Sequence, residues 1–183
     1  DYPASGDQPG RLFVVARAVD PEDGRLRTEQ VSFFLGRTTL LTLQEAPGDI
    51  FEPVRHRLAT RGSRIRENDA SFLLYSLVDT VVDGYFPVLE KYSDELEDLE
   101  EELLAHPDQR TSHRVHALKR ELLMLRRAGW PMRELMSQLL REKHECVSET
   151  TRTYFRDVYD HCVQIIDLIE TYREIAAGVT ETY

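Results

Sequence analysis

A long apolar stripe near the end of the chain constrains the fold more than any other feature of the sequence. The apolar residues recur three or four positions apart, and they are Tyr154, Val158, Cys162, Ile165, Ile169, Tyr172, Ala176 and Val179. An α-helix has about 3.6 residues per turn, so this spacing puts them all on one face. We predict one helix from Thr150 to Tyr183, roughly 50 Å long at ~1.5 Å per residue. No proline or polar cluster follows Gly178, so we expect the helix to continue beyond the sequence.

Composition and charge exclude several classes of protein. The net charge is -10, whereas a nucleic-acid-binding protein needs a basic face. There is no uninterrupted apolar run of 18 residues, so we predict no membrane span within the sequence itself. Cys146 and Cys162 fall on predicted helices, and we expect them to be reduced thiols. The sequence has no nucleophile–histidine pattern, glycine-rich phosphate loop or CxxC, so we predict that the protein is not an enzyme.

The first third of the chain predicts a small β-sheet. Short apolar segments alternate with turn residues, and the predicted strands are Leu12–Val19, Val31–Leu35 and Thr39–Leu43. The segment Asp20–Arg25 contains Pro and Gly and is predicted to be a turn. A short helix from Ile50 to Thr60 follows, with Asp49 as its capping residue.

From Asn68 onward the helical period replaces the strand pattern. We predict a helix from Asp69 to Leu104 with a kink or break at Pro87, and a second helix from Thr111 to Lys143 with a kink at Pro131. A six-residue turn joins them, so they should form an antiparallel hairpin. The predicted fold class is therefore α+β. Its parts are a partial α/β subdomain (1–67), a long helical hairpin (68–147) and a C-terminal helix (148–183).

Two groups of polar residues are weak candidates for metal binding. The segment Asp94–Glu102 holds seven acids in nine residues. A solvated helix face is the favoured interpretation, and a surface that attracts cations is the alternative. His113 and His116 are three residues apart, but no acid or cysteine nearby completes a metal site, so we expect exposed histidines. His161 lies on the apolar side of the last helix, next to Cys162, and we expect it to be packed or at an interface.

Asp157 is a more specific candidate because of its place on the C-terminal helix. At 100° per residue it falls roughly 90° from the centre of the apolar stripe, on the flank of the packed face. It can be an ordinary rim carboxylate, or it can face a neighbouring helix or subunit. Glu181 falls about 150° from the stripe, which would turn it towards solvent or a symmetry axis.

Several segments of the chain resemble the CorA family of divalent-cation transporters. The runs FRDVYDH and RRAGWPMRE are specific in combination, because helical periodicity explains neither. The resemblance covers most of the chain, and its segments are Glu29–Gly36, Val78–Leu104, Leu118–Glu142 and Tyr154–Tyr183.

The resemblance implies a homopentameric channel of a bacterial or archaeal inner membrane that transports Mg²⁺, and also Co²⁺ or Ni²⁺. Its cytoplasmic domain would end in a stalk helix that leads into a membrane span and a Gly-Met-Asn signature. This sequence ends before both, so we expect a cytoplasmic domain without its membrane spans.

The resemblance also implies regulatory Mg²⁺ sites between subunits. The metal-binding acid of the stalk helix falls on Asp157, and an acid at the head of the first long helix falls on Asp79. An acid near the membrane end of the stalk falls on Glu181. A third regulatory acid of the family falls where this chain has Gly10, and the nearest acid is Asp7. This departure leaves the complete site open.

The leading hypothesis is therefore a cytoplasmic domain that senses intracellular Mg²⁺ and favours the closed state of a transporter. One alternative is the cytoplasmic domain of a ZntB-like zinc transporter. A helical scaffold without a transport function is another, and a specific Mg²⁺ effect on thermal stability would distinguish it from the first.

Overall fold

The computed structural model describes residues 10–22, 25–46, 48, 50–105 and 108–181, with the backbone alone at 21, 22, 180 and 181. The elements in chain order are β1 (Arg11–Glu22), β2 (Arg25–Gly36), β3 (Leu40–Gln44), α1 (Glu52–Ala59), α2 (Ala70–Asp83), α3 (Tyr85–Ala105), α4 (Gln109–Arg141) and α5 (Glu149–Glu181). This order of a small sheet followed by long helices confirms the predicted α+β class. The three-part division of the chain stays a prediction.

The sheet is antiparallel, in the order β1-β2-β3, and its first two strands are longer than predicted. They pair without interruption as far as Glu22 and Arg25, so most of the predicted turn Asp20–Arg25 belongs to the ladder. Opposite charges face each other there, since Asp20 pairs with Arg27. The predicted strands therefore covered only part of β1 and β2, and they left out the buried Leu26 of β2.

The two faces of the sheet have different surroundings. One face is buried against the helices, and its core residues are Val14, Ala16, Val31, Phe33 and Leu35. The other face leaves five large apolar side chains at least 37% exposed: Phe13, Val15, Phe34, Leu41 and Leu43. Phe13 lies opposite Phe34 in the register, with ring centroids 4.6 Å apart. A contiguous apolar patch of this kind is typical of a contact surface.

The short helix α1 begins two residues later than predicted. Phe51 is the residue before its first turn, and its side chain makes no capping hydrogen bond. Pro53 stands in the first turn, where a missing N–H costs nothing. Asp49, the predicted cap, lies outside the described residues.

The first long helix is broken, as predicted, but the break is at Gly84. Asp69 caps α2 by accepting a hydrogen bond from the Phe72 N–H at 3.1 Å. Pro87 has no N–H to donate to the carbonyl of Asp83 one turn earlier, so the ladder is interrupted just before the proline. Two helices, α2 and α3, therefore replace the single predicted helix.

The stretch Ala70–Ala105, which combines α2 and α3, is the one part of the described chain that is long and apolar enough to cross a membrane. Its most apolar window has a mean hydropathy of 1.4, and 56% of that window is buried inside the fold. Such burial is typical of the core helix of a folded domain, which passes the same test of length and composition.

The helix α4 continues through Pro131 and ends at Arg141, two residues before the predicted end. It packs mainly against α5, while α3 contacts both of them. The predicted hairpin is therefore part of a three-helix layer. Two polar contacts join this layer to β1: the Tyr85 hydroxyl donates to the Arg17 carbonyl at 2.8 Å, and the Arg17 N–H contacts Met132 Sδ at 3.4 Å.

The apolar stripe of α5 is confirmed as its core face. Val158, Ile169 and Ala176 are fully buried, while Tyr154 and Tyr172 are partly buried against the core. The two cysteines are free and buried, and burial raises the pKa of Cys162 to about 12. The thiol therefore stays protonated and acts as an apolar packing group.

The helices α4 and α5 pack tightly against each other at Gly129. A Cβ atom placed on this residue would lie 3.1 Å from Ile166 Cδ1, which is tighter than an ordinary van der Waals contact. Gly129 therefore permits the approach of the two helices because it has no side chain.

We predict that Gly129→Leu lowers the free energy of unfolding by about 1–3 kcal/mol, because the added side chain overpacks this crossing. Gly178→Leu is the matched control, since a Cβ there meets nothing within 4 Å. Urea unfolding followed by circular dichroism measures both variants. Equal stability of the two would contradict the crossing described above.

Candidate metal site

Three potential metal ligands meet between α2 and α5. Asp79 and Asp83 come from α2 and His161 from α5, and one ligand atom of each lies within 4.8 Å of the other two. The imidazole Nδ1 of His161 is 3.5 Å from Asp83 Oδ1. Within the described chain, no other set of three histidine, cysteine or acidic residues comes this close together. We call these three residues the carboxylate–histidine cluster.

Helix geometry and packing explain this arrangement. Asp79 and Asp83 are four residues apart, so their side chains lie one above the other on a single face of α2. His161 is half-buried, and its ring packs edge-on against Phe86 with centroids 5.8 Å apart. Its Nδ1 is inaccessible to solvent and has no hydrogen-bond partner. An imidazole nitrogen is thus held near two carboxylates without a hydrogen bond of its own.

Both carboxylates of the cluster have raised pKa values, so their ionised forms are disfavoured. The pKa of Asp79 is raised from 3.8 to about 6, first by burial and then by the negative charge of Asp83. The pKa of Asp83 is also raised by burial, while His161 and Arg57 act in the opposite direction on both acids. Two acids that are costly to ionise form a place where a bound cation would be stabilising.

Asp157 lies beside this cluster but outside the group of three. It is exposed, and it precedes His161 by one turn of α5. Its charge contributes to the raised pKa of Asp79, and also to that of Tyr75, which burial raises to about 12. Two of the predicted site residues, Asp79 and Asp157, are therefore close enough to influence each other.

Glu181 is not part of this site. It is the last residue of α5, roughly 36 Å along the helix from Asp157 at ~1.5 Å per residue. Its side chain is not described, so its proposed role stays a prediction. Gly10, where the resemblance expects an acid, has Glu145 and Arg37 as its nearest side chains. Asp7 lies outside the described residues.

The sequence analysis missed Asp83 and His161 as site residues. The sequence does hold a clue to both residues. Asp83 is four residues after Asp79, and His161 is four residues after Asp157, so each lies on the same helix face as a predicted site residue. His161 does pack against a neighbouring helix, as expected. His113 and His116 are exposed and do not belong to the cluster.

The donor atoms of the cluster suit a divalent cation. Mg²⁺ prefers oxygen ligands, keeps several waters and uses one or two carboxylates. Imidazole adds affinity for Co²⁺, Ni²⁺ and Zn²⁺. The arrangement can therefore hold a hydrated Mg²⁺ through its two acids, or a transition metal through all three residues.

Comparison with known proteins identifies the family. The family model described as "CorA-like Mg2+ transporter protein" matches residues 3–183. The chain belongs to this family. It is 47% identical over 174 residues to the cobalt/magnesium transport protein CorA of Thermotoga maritima, covering 94% of this chain and 50% of that protein. The chain spans about half the length of the curated relatives it matches.

Two solved structures have a fold similar to that of this chain. The soluble domain of CorA from Methanocaldococcus jannaschii matches with a TM-score of 0.85 at 24% identity, over 96% of this chain and 70% of that one. The cytoplasmic domain of ZntB from Vibrio parahaemolyticus matches with a TM-score of 0.70 at 17% identity, over 98% and 73% of the two chains. This chain thus has a fold similar to these two domains.

The raised pKa of Asp79 predicts a pH-dependent stability. The folded chain binds more protons than the unfolded chain between about pH 4 and pH 6, so its free energy of unfolding should fall as pH rises through this range. Asp79→Asn should remove part of this dependence. It should also raise the free energy of unfolding at pH 7.5 by about 1 kcal/mol, a value that allows for solvent screening.

Urea unfolding in a chelating buffer at pH 4.5 and pH 7.5 measures this effect. Asp94→Asn, at an exposed acid of α3, is the control and should leave the pH dependence unchanged. If Asp79→Asn and Asp94→Asn show the same pH dependence of the free energy of unfolding, the pKa of Asp79 is not raised as described.

Proposed function

We propose that the chain is the cytoplasmic regulatory domain of a CorA-type magnesium transporter, and that the carboxylate–histidine cluster is part of its sensor for divalent cations. The observation that carries the proposal is the meeting of Asp79, Asp83 and His161 within 4.8 Å at the packing of α2 against α5. Membership of the CorA-like family supports transport of Mg²⁺ and Co²⁺ by the whole protein.

The physical mechanism is linkage between cation binding and conformation. Without a cation, the acids of the cluster and Asp157 repel one another in a partly desolvated place. A bound cation removes this repulsion, and it stabilises whichever arrangement brings the ligands together. If that arrangement is the closed state, a fall in intracellular Mg²⁺ shifts the population towards the open state.

The assembly follows from the same proposal. Five copies would surround a pore, and α5 would continue as a stalk into the inner membrane. Asp157 is exposed in the single chain, so it is free to bind a cation together with an acid of a neighbouring subunit. Glu181 would then line the path near the membrane. Co²⁺ and Ni²⁺ would pass through the same pore as Mg²⁺.

We predict that Mg²⁺ and Co²⁺ raise the melting temperature of the purified chain. A cation at ten times its dissociation constant stabilises the folded state by about 1.4 kcal/mol. Asp83→Asn should remove most of this stabilisation, because it takes away a ligand charge at nearly constant shape. Differential scanning fluorimetry in a cation titration measures the effect.

Asp94→Asn is again the control, because it removes the same charge from an exposed position on α3. A cation effect that Asp83→Asn and Asp94→Asn retain equally would show general screening of the acidic chain. The cluster would then have no sensor role, and the scaffold interpretation would be favoured.

The sharing of a cation between subunits is tested in the full-length transporter. Asp157→Asn should abolish the protection from proteolysis that Mg²⁺ confers, since the neighbouring acid loses its partner at the cation. If the mutant is protected from proteolysis at the same Mg²⁺ concentrations as the wild type, Asp157 is an ordinary rim carboxylate.

The imidazole of His161 favours a second candidate function, a ZntB-like zinc transporter. Imidazole is a ligand that Zn²⁺ and Co²⁺ prefer and that Mg²⁺ rarely uses. His161→Asn should weaken Zn²⁺ and Co²⁺ binding and leave Mg²⁺ binding almost unchanged if Mg²⁺ is the regulatory ion. Zn²⁺ binding that is tight and depends on His161, with no Mg²⁺ binding, would favour the zinc transporter.

A further inference from the structure

A network of hydroxyl groups, two of them buried, joins the beginning of α2 to the beginning of α5. Ser71 and Thr151 are almost completely buried, at 1% and 0% exposure, and their hydroxyl oxygens lie 2.8 Å apart. Ser148, which precedes α5, accepts from the Thr151 N–H at 3.2 Å and so caps that helix. The Ser148 N–H donates in turn to Ser71 Oγ at 3.2 Å.

The shortest contacts of this network assign the hydroxyl protons in one direction, and Ser71 Oγ also lies 3.4 Å from Ser148 Oγ. Ser71 donates to Asp69 Oδ1 at 2.6 Å, because an ionised carboxylate can only accept. Ser71 has then used its single proton, so Thr151 must donate to Ser71. Ser148 donates to Thr151 at 2.9 Å, and every hydroxyl proton has one acceptor. The chain of hydrogen bonds thus runs from α5 to the capping carboxylate of α2.

The same two helices carry the candidate cation site. Asp79 lies eight residues beyond Ser71 on α2, about 12 Å along the helix. Asp157 and His161 lie six and ten residues beyond Thr151 on α5, about 9 and 15 Å along it. The network therefore fixes the relative position of the two helices two to three turns before the cluster.

Aromatic packing fills the space between the network and the cluster. Tyr75 and Tyr154 pack with ring centroids 5.1 Å apart, and Phe72 packs against Tyr154 at the same distance. Aromatic contacts of this kind accept a range of tilts, whereas hydrogen bonds between buried hydroxyls are directional. Of the two connections between α2 and α5, the hydroxyl network therefore restricts the relative position of the helices more narrowly.

We propose that Thr151 is a positioning residue for the cation site, because its hydroxyl sets the register of α5 against α2 and so the distance from His161 to Asp79 and Asp83. Metal ligands must be held within about 0.5 Å of their productive geometry by the groups around them. The proposal rests on the proposed cation binding by the carboxylate–histidine cluster.

The test is Thr151→Val, which replaces the hydroxyl with a methyl group of similar size. Ser71 then loses a donor at a buried place, and the Ser148 hydroxyl keeps only its longer contact with Ser71, with 3.4 Å between the two oxygens. We expect the affinity of the purified chain for Co²⁺ to fall about tenfold, the lower end of the loss seen when a direct hydrogen-bond partner of a metal ligand is removed. Isothermal titration calorimetry well below the melting temperature measures the affinity, and circular dichroism checks the helix content.

Two matched variants separate positioning from general stability. Thr153→Val makes the same change two residues later, where the hydroxyl is exposed and bonds only to the Glu149 carbonyl of its own helix at 3.1 Å. It should bind Co²⁺ like the wild type. Thr151→Ser keeps the hydroxyl and should also keep the affinity, even if the loss of its methyl group lowers the melting temperature. Ser71→Ala provides an independent break of the network if Thr151→Val does not fold.

The outcomes distinguish this proposal from the proposed function. If the wild-type chain binds Co²⁺, and Asp83→Asn weakens binding but Thr151→Val and Ser71→Ala do not, the cluster is a site and Thr151 is merely structural. If the wild-type chain binds no Co²⁺, or Asp83→Asn binds it equally well, the cation site itself is overturned, and the positioning role with it.

Discussion

The burial of one face of α5 is the interaction on which the rest of the molecule depends. This helix contacts α2, α3 and α4, and its stripe residues Val158 and Ile169 are completely buried. Each large apolar side chain removed from water contributes about 1.5–3 kcal/mol, so a stripe sustained over the whole helix outweighs the surface charges in stabilising the layer. The residues on the flank of the stripe are consequently held at defined places against α2.

The parts of the fold that could be predicted are those determined by local periodicity. The buried stripe of α5 and, to within two residues, the extent of α4 follow from residues close together in the sequence. The ends of β1 and β2 could not be predicted, because Asp20 and Arg27 are polar and their place in the ladder depends on the pairing between the two strands. The apolar face of the sheet around Phe13 and Phe34 also reflects pairing across strands, which one segment of sequence does not reveal.

The candidate site was accessible to prediction only in part. Asp79 and Asp157 came from the family resemblance, and helical spacing alone could not have distinguished Asp157 from a rim carboxylate. Asp83 and His161 depend on how far α2 and α5 rotate about their axes when they pack. That rotation is a property of the tertiary structure, and only the assembled helices bring the imidazole to the two acids.

The close approach at Gly129 has a consequence for how relatives of this protein can vary. The space beside Gly129 is filled by the side chains of Ile166, Ile165 and Tyr85, and Ile166 comes nearest. A relative with a larger residue at the position of Gly129 needs a smaller residue at the position of Ile166. The sizes of the side chains at these two positions should therefore vary in opposite directions among relatives. The packing of two helices would then appear as a compensating pair in an alignment, between residues far apart in the chain.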